Sequence, residues 1–222
     1  MKLVIFDCDG TLVDSADEIS ANMQRVFEVA GITWPGPAAT RQCIGLSLPQ
    51  TMQKLHPKGD ETVHLQLAQD YRNSFYQSAQ ASHDKQVFFA GALETLANLR
   101  QRDDLLLAIA TGKSQRGVTR MLASAKIARS AFASIQTADD APSKPHPAMV
   151  TQAMSEAGGI EGKNTVVIGD ATYDIEMARA AGAFAVGVEW GYHSSDVLRQ
   201  SGAHKIMSNF NQLDGILEGF WS

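Results

Sequence analysis

Four apolar residues, Leu3-Val4-Ile5-Phe6, run directly into two carboxylates one residue apart, Asp7 and Asp9, and then into Gly10-Thr11. A short unbroken apolar run of this kind reads as a buried strand of a parallel sheet. Asp7 and Asp9 then fall just past its carboxyl end, where open α/β sheets keep their ligand crevice. Alternation along an extended backbone aims both carboxylates the same way and Cys8 the other way. Such a pair repels itself unless a cation or a shared proton relieves it. The stretch therefore asks for a metal ion, a proton-transfer role, or both. A plain turn explains Asp9-Gly10, but not Asp7.

The remaining chain falls into two rhythms. From Ser15, a capping box with Glu18 opens a helix whose apolar positions Ile19, Met23, Val26, Phe27 and Ala30 recur at helical spacing up to Gly31. Further helices are expected over about 38–44, 48–55 and 61–80, the last burying Leu65, Ala68, Tyr71 and Phe75. No strand run is expected between Ser15 and about Phe88. After Phe89-Ala90-Gly91, helix and strand alternate. Strands are expected at Leu105–Ala110, about 132–137, 165–168 and 184–188, and helices over about 91–101, 114–126, 147–157, after Asp170, from 195 and over 212–219. Alternation of this kind implies a doubly wound parallel sheet, an α/β fold, carrying an inserted all-helical domain. The division reads as 1–14 with 89–222 for the core and 15–88 for the insert.

Three more polar groups follow apolar runs and so belong at the same end of the sheet as Asp7. Thr111-Gly112 follows Leu105–Ala110 and offers a hydroxyl and backbone N–H groups for phosphoryl oxygens, or else a helix start, a role that Ser114 also suits. Gly112-Lys113-Ser114 imitates the end of a P-loop, but Leu107 stands where that motif needs glycine. Lys144, between Ser143 and Pro145 and stiffened by Pro147, is a held cation or an exposed loop lysine. Asp170 leaves the run Thr165–Ile168 through Gly169, and Asp174 lies one helical turn on. Mg²⁺ takes one or two carboxylates with oxygen from substrate phosphate, whereas helix N-termini also favour acids.

Asp7-Cys8-Asp9-Gly10-Thr11-Leu12-Val13-Asp14-Ser15, Thr111-Gly112, Ser143-Lys144-Pro145-x-Pro147 and Gly169-Asp170-x-x-x-Asp174 together resemble, in order, the four signatures of the haloacid dehalogenase superfamily. The helical insert resembles the cap of its phosphoglycolate phosphatase-like group. The resemblance implies a Rossmann-like core and a Mg²⁺-dependent phosphatase acting on a small phosphate monoester such as phosphoglycolate, a sugar phosphate or a nucleotide. It implies Asp7 as nucleophile, forming an aspartyl-phosphate, and Asp9 as general acid and base. Thr111, Gly112 and Lys144 become phosphate-binding groups, and Asp7, Asp9 through its carbonyl, Asp170 and Asp174 the metal ligands. The second aspartate, Asp9, argues against a dehalogenase. A phosphomutase of the beta-phosphoglucomutase type shares the cap, but the resemblance implies a His in the first cap helix and an Arg after a Gly-x-Ser turn, and Ile19 and Leu48 stand in those places here. Arg41 and Ser47 are weaker candidates for reaching substrate from the cap. A phosphoreceiver that stops at the phosphorylated aspartate is the alternative of another class.

Composition closes off other classes. Lys and Arg number 19 against 24 Asp and Glu, a net charge of −5 without a basic block, which disfavours nucleic acid. No apolar run reaches membrane-spanning length. Cys8 and Cys43 are too few for a disulfide framework and read as small core residues. A leaderless cytoplasmic enzyme, monomer or homodimer, is the resulting expectation.

Overall fold

The computed structural model describes residues 1–81 and 86–221. Its core is a parallel sheet of β1 (Lys2–Phe6), β2 (Leu105–Ala110), β3 (Ser134–Gln136), β4 (Thr165–Gly169), β5 (Phe184–Val188) and β6 (Lys205–Met207), in the order β3-β2-β1-β4-β5-β6. The order reverses beside β1, which pairs with β2 from Lys2↔Leu105 and with β4 from Leu3↔Thr165. That reversal opens a crevice at the carboxyl ends of β1, β2 and β4.

Both faces of the sheet are covered, which is why its strands read as unbroken apolar runs. Val4 and Phe6 pack with Leu96, Met121 and Leu217 on one face. Leu3 and Ile5 pack with Met149, Val150, Ile175 and Leu198 on the other. The covering helices are α5 (Ala92–Leu99), α6 (Gln115–Ala125), α7 (Ala148–Glu156), α8 (Thr172–Ala180), α9 (Ser195–Gln200) and α10 (Leu213–Trp221). Ser114 caps α6 as expected, its hydroxyl accepting from Gly117 N at 3.2 Å. Cys8 and Cys43 are both buried and unpaired with each other.

Among the described residues, four helices intervene between β1 and α5: α1 (Ala16–Val29), α2 (Pro37–Arg41), α3 (Leu48–Leu55) and α4 (Glu61–Ala81). They share their own apolar cluster, with Met23, Phe27, Met52, Leu55, Leu67 and Tyr71 at its centre.

Three expectations require correction. Leu65 is 51% exposed, and α4 turns His64, Leu67, Ala68 and Tyr71 inward instead, so its buried stripe is rotated away from Leu65. The Ser15–Glu18 capping box does not form: Ser15 makes no side-chain cap bond to α1. Its hydroxyl donates to Asp9, and Glu18 pairs with Arg120 at 2.6 Å. A charged acceptor outbids a backbone N–H for the same hydroxyl. The edge strand β6 is absent from the sequence reading, because three residues with an exposed Lys205 leave too little pattern.

Candidate active site

Each polar group of the crevice is delivered by the end of a strand or the loop after it. Asp7 follows β1, with its backbone N–H donating to Ile168 O of β4 at 2.9 Å. Asp170 follows β4, Thr111 follows β2, and Lys144 lies in the loop between β3 and α7, with a cis bond to Pro145. Lys144 is completely buried, and its ammonium contacts Asp7 Oδ1 at 2.7 Å and Asp174 Oδ1 at 2.5 Å. Asp7, Asp170 and Asp174 each bring one carboxylate oxygen within 4.8 Å of the others. Groups separated by as many as 167 positions in the chain thus share one buried cluster.

The acids are held from several sides. Thr11 Oγ1 donates to Asp170 Oδ1 at 3.1 Å, and Tyr192 N donates to Asp170 Oδ2 at 2.9 Å. Ala171 N donates to Asp174 Oδ2 at 3.1 Å. Gly10, at φ +84, lies so close to Asp170 that a Cβ there would stand 2.2 Å from its Oδ2. A side chain at this position is excluded both by the clash and by the left-handed backbone. Gly191 abuts Asp170 just as closely from the loop after β5.

Burial dominates the electrostatics. It pushes the Asp7 carboxyl up to about 7, against the pull of Lys144 and with a further push from Asp174. Asp170 is raised well above the ordinary carboxylate range by burial, then by Asp174 and Asp7. For Lys144, burial lowers proton affinity, but the two carboxylates it touches more than offset this and raise it. Three acids around one ammonium leave uncompensated negative charge, and Asp7 Oδ2 is buried without a hydrogen-bond partner among the described residues. An oxygen-only donor set with an orphaned carboxylate oxygen fits a hard divalent cation such as Mg²⁺.

Asp9 sits apart from this cluster, at the mouth. Its Oδ1 accepts from the Ser15 hydroxyl and forms an ion pair with Lys113 Nζ at 2.7 Å. Lys113 is the residue that sequence reasoning misses, since it enters there only as part of a false P-loop. Its position two residues beyond Thr111, at the mouth of the same crevice, is the signal that could have found it. Ser15 and the loop after β5 are the other contributors that motif spacing does not reveal. Tyr192 accepts from Ser15 N at 3.1 Å, and Trp190 Nε1 donates to Thr11 O at 3.1 Å.

Thr111 is fully buried, and its hydroxyl accepts from Lys113 N at 3.2 Å. Gly112 faces the helical insert: a Cβ there would meet Gly45 O at 2.5 Å. Ser47 N donates to Ser143 Oγ at 2.8 Å, next to Lys144, and Tyr173 donates to Gln42 O at 3.0 Å. Ser47 thus reaches the rim through its backbone. Arg41 pairs with Asp17 at 3.1 Å on the surface. His146 caps locally, its Nδ1 accepting from Ala148 N. Among the described residues, no helix is long and apolar enough to cross a membrane.

Comparison with known proteins agrees with this architecture. Residues 4–188 match the family of haloacid dehalogenase-like hydrolases. A Dickeya dadantii protein named "Probable phosphatase IndB" is 34% identical over 96% of this chain and 92% of its own. A phosphoglycolate phosphatase of Pseudomonas fluorescens is 30% identical over 98% of this chain and 80% of its own. In fold, the chain is similar to a hydrolase from Pseudomonas syringae (TM-score 0.85, 24% identity, 99% of both chains). It is also similar to a beta-phosphoglucomutase from Clostridium difficile (TM-score 0.82, 19% identity, 99% and 97%). The chain belongs to the haloacid dehalogenase-like hydrolase family. Within it, the chain is a phosphatase of phosphoglycolate phosphatase-like kind.

Proposed function

We propose that the protein hydrolyses a small phosphate monoester with Mg²⁺, through a phosphorylated Asp7. The observation that carries the reading is the convergence of Asp7, Lys144, Asp170 and Asp174 in one buried cluster that retains an unsatisfied Asp7 oxygen. Asp7 and Asp170 would hold the metal with the Asp9 carbonyl, and Asp174 would join directly or through water. Bound Mg²⁺ supplies positive charge to the phosphoryl oxygens and relieves the repulsion among the acids.

An Asp7 oxygen bonds to phosphorus as the ester P–O bond breaks, and the departing alkoxide takes a proton from Asp9. Asp9 then removes a proton from water as that water attacks phosphorus. The bond to Asp7 breaks, freeing inorganic phosphate and regenerating the carboxylate. Lys144, Thr111 and the Gly112 backbone neutralise and orient the phosphoryl oxygens, since positioning and electrostatics supply nearly all catalysis of such transfers. Lys113 and Ser15 aim Asp9 toward the leaving oxygen.

Residues 1–14 and 89–222 form the catalytic core, and 15–88 form a cap that closes over it. The Gly45 carbonyl against Gly112 and the Ser47–Ser143 bond support this division. The substrate is a small phosphorylated molecule met in the cytoplasm by a monomer or homodimer; neither nucleic acid nor membrane takes part. Ile19 and Leu48 both line the cavity above Asp9, and these apolar residues disfavour the mutase reading.

Phosphate release from a panel of monoesters at fixed Mg²⁺ tests the proposal. Many phosphates released per chain, abolished by a chelator and restored by Mg²⁺, are expected. A single stoichiometric phosphorylation without turnover points instead to a phosphoreceiver, and turnover indifferent to Mg²⁺ removes the metal from the account.

A further inference from the structure

Above Asp9, between the end of β2 and helices α1, α3 and α4, lies a cavity of about 100 Å³. At its core end stand Asp9 and Lys113, already paired with each other. Its apolar walls include Ile19, Met23, Leu46, Leu48 and Phe75. Three hydroxyls in the lining are already engaged, Thr40 donating to Gly36 O, Thr51 to Cys43 O and Ser114 accepting from Gly117 N, which leaves Tyr71 as the other hydroxyl of the walls. A hydroxyl-rich alcohol placed here would leave buried polar groups unmatched, which is costly.

One lining group stands out. Arg72 of α4 is half-buried, and among the described residues nothing pairs with its guanidinium. It lines both this cavity and an outer one shared with Ser47, Asp139 and Ser143, so it stands at the junction of the two. Nearby charges are already committed. Arg120 is bound to Glu18, and Asp139 accepts from Gln115 N at 2.9 Å. A half-buried guanidinium at the edge of an apolar chamber is a ready partner for a carboxylate or phosphate.

We infer that the preferred substrates are monophosphate esters of an alcohol with a short aliphatic body of about four or five carbons, ending in a second anionic group that Arg72 receives. The size follows from the cavity, which is smaller than the roughly 150 Å³ that admits a benzene ring. Two carbons, as in phosphoglycolate, are too few to fill the apolar walls. Sugar phosphates bring several hydroxyls, more than Tyr71 alone can match. The inference rests on the phosphatase reading, and it makes Arg72 a specificity-determining residue that touches the alcohol part.

The test compares kcat/KM for a matched pair, pentyl phosphate and 5-phosphonooxypentanoate, alongside phosphoglycolate and glucose 6-phosphate, at saturating Mg²⁺. 1,5-Pentanediol bisphosphate distinguishes a terminal phosphate from a terminal carboxylate. In the unaltered protein, the five-carbon acid or the bisphosphate should exceed pentyl phosphate at least tenfold, and should exceed phosphoglycolate and glucose 6-phosphate by a similar factor. In Arg72→Met the anion's advantage over pentyl phosphate should fall at least fivefold, mainly through KM. Each ratio is taken within one protein, so a partly misfolded variant does not distort it. Preference for phosphoglycolate or glucose 6-phosphate, or an unchanged ratio in Arg72→Met, overturns the inference and leaves the phosphatase reading standing. Failure to hydrolyse any ester overturns both.

Discussion

At the carboxyl ends of β1 and β4, Lys144, Asp7, Asp170 and Asp174 are buried as charges or potential charges, each held by named partners. On the other side of the cavity, α1, α3 and α4 present Ile19, Met23, Leu48 and Phe75, a mainly apolar wall with Arg72 at its edge. The floor cannot exchange a residue without leaving a charge unmatched in low dielectric. The roof can, because an apolar wall tolerates substitution that conserves volume and polarity. The difference matches the two tasks that the proposed function assigns, chemistry to the floor and the choice of alcohol to the roof.

Substitutions can break that division of labour. The largest effect is expected from Asp7→Asn, which removes the proposed nucleophile and should lower kcat by about a thousandfold or more; steady-state phosphate release measures it. Lys144→Met should follow. Removing one partner of a buried ionic group typically costs about 3–5 kcal/mol, here because the ammonium lies between Asp7 and Asp174. Urea unfolding of the metal-free protein reads this, and a loss under about 1 kcal/mol would contradict the floor's description. Leu48→Ala, in the roof, should raise KM by roughly tenfold while kcat holds within about threefold. A loss confined to kcat would dissolve the distinction. Arg41→Ala should leave kcat/KM within about twofold, because its pair with Asp17 is exposed.

The same contrast governs what could be read from the residue string. Asp7, Thr111 and Asp170 are legible because each ends an apolar run, and in a parallel sheet all such runs end on one side. Lys144 is legible through the prolines around it. The doubly wound core follows from alternation alone. The roof is not legible in this way, because helical periodicity shows that a face is buried without showing against what. It also places Leu65 inside, where α4 turns Leu67 instead. Ser15 is read as a cap because local spacing cannot reveal that Asp9 lies nearer to its hydroxyl than the backbone does. Lys113 carries no motif of its own, and its role appears only when the end of β2 meets the loop after β1. Arg72 lies in a helix whose pattern marks it merely as polar.

The account depends on a covalent bond between phosphorus and one particular carboxylate. Rapid acid quenching during turnover, followed by mass spectrometry of the peptides, tests this most directly. A phosphoryl group on the peptide holding Asp7, lost in Asp7→Asn and accumulating in Asp9→Asn, where the water step is slowed, is the predicted result. Steady turnover with that peptide unmodified at every quench time, or with the label on another residue, would contradict it.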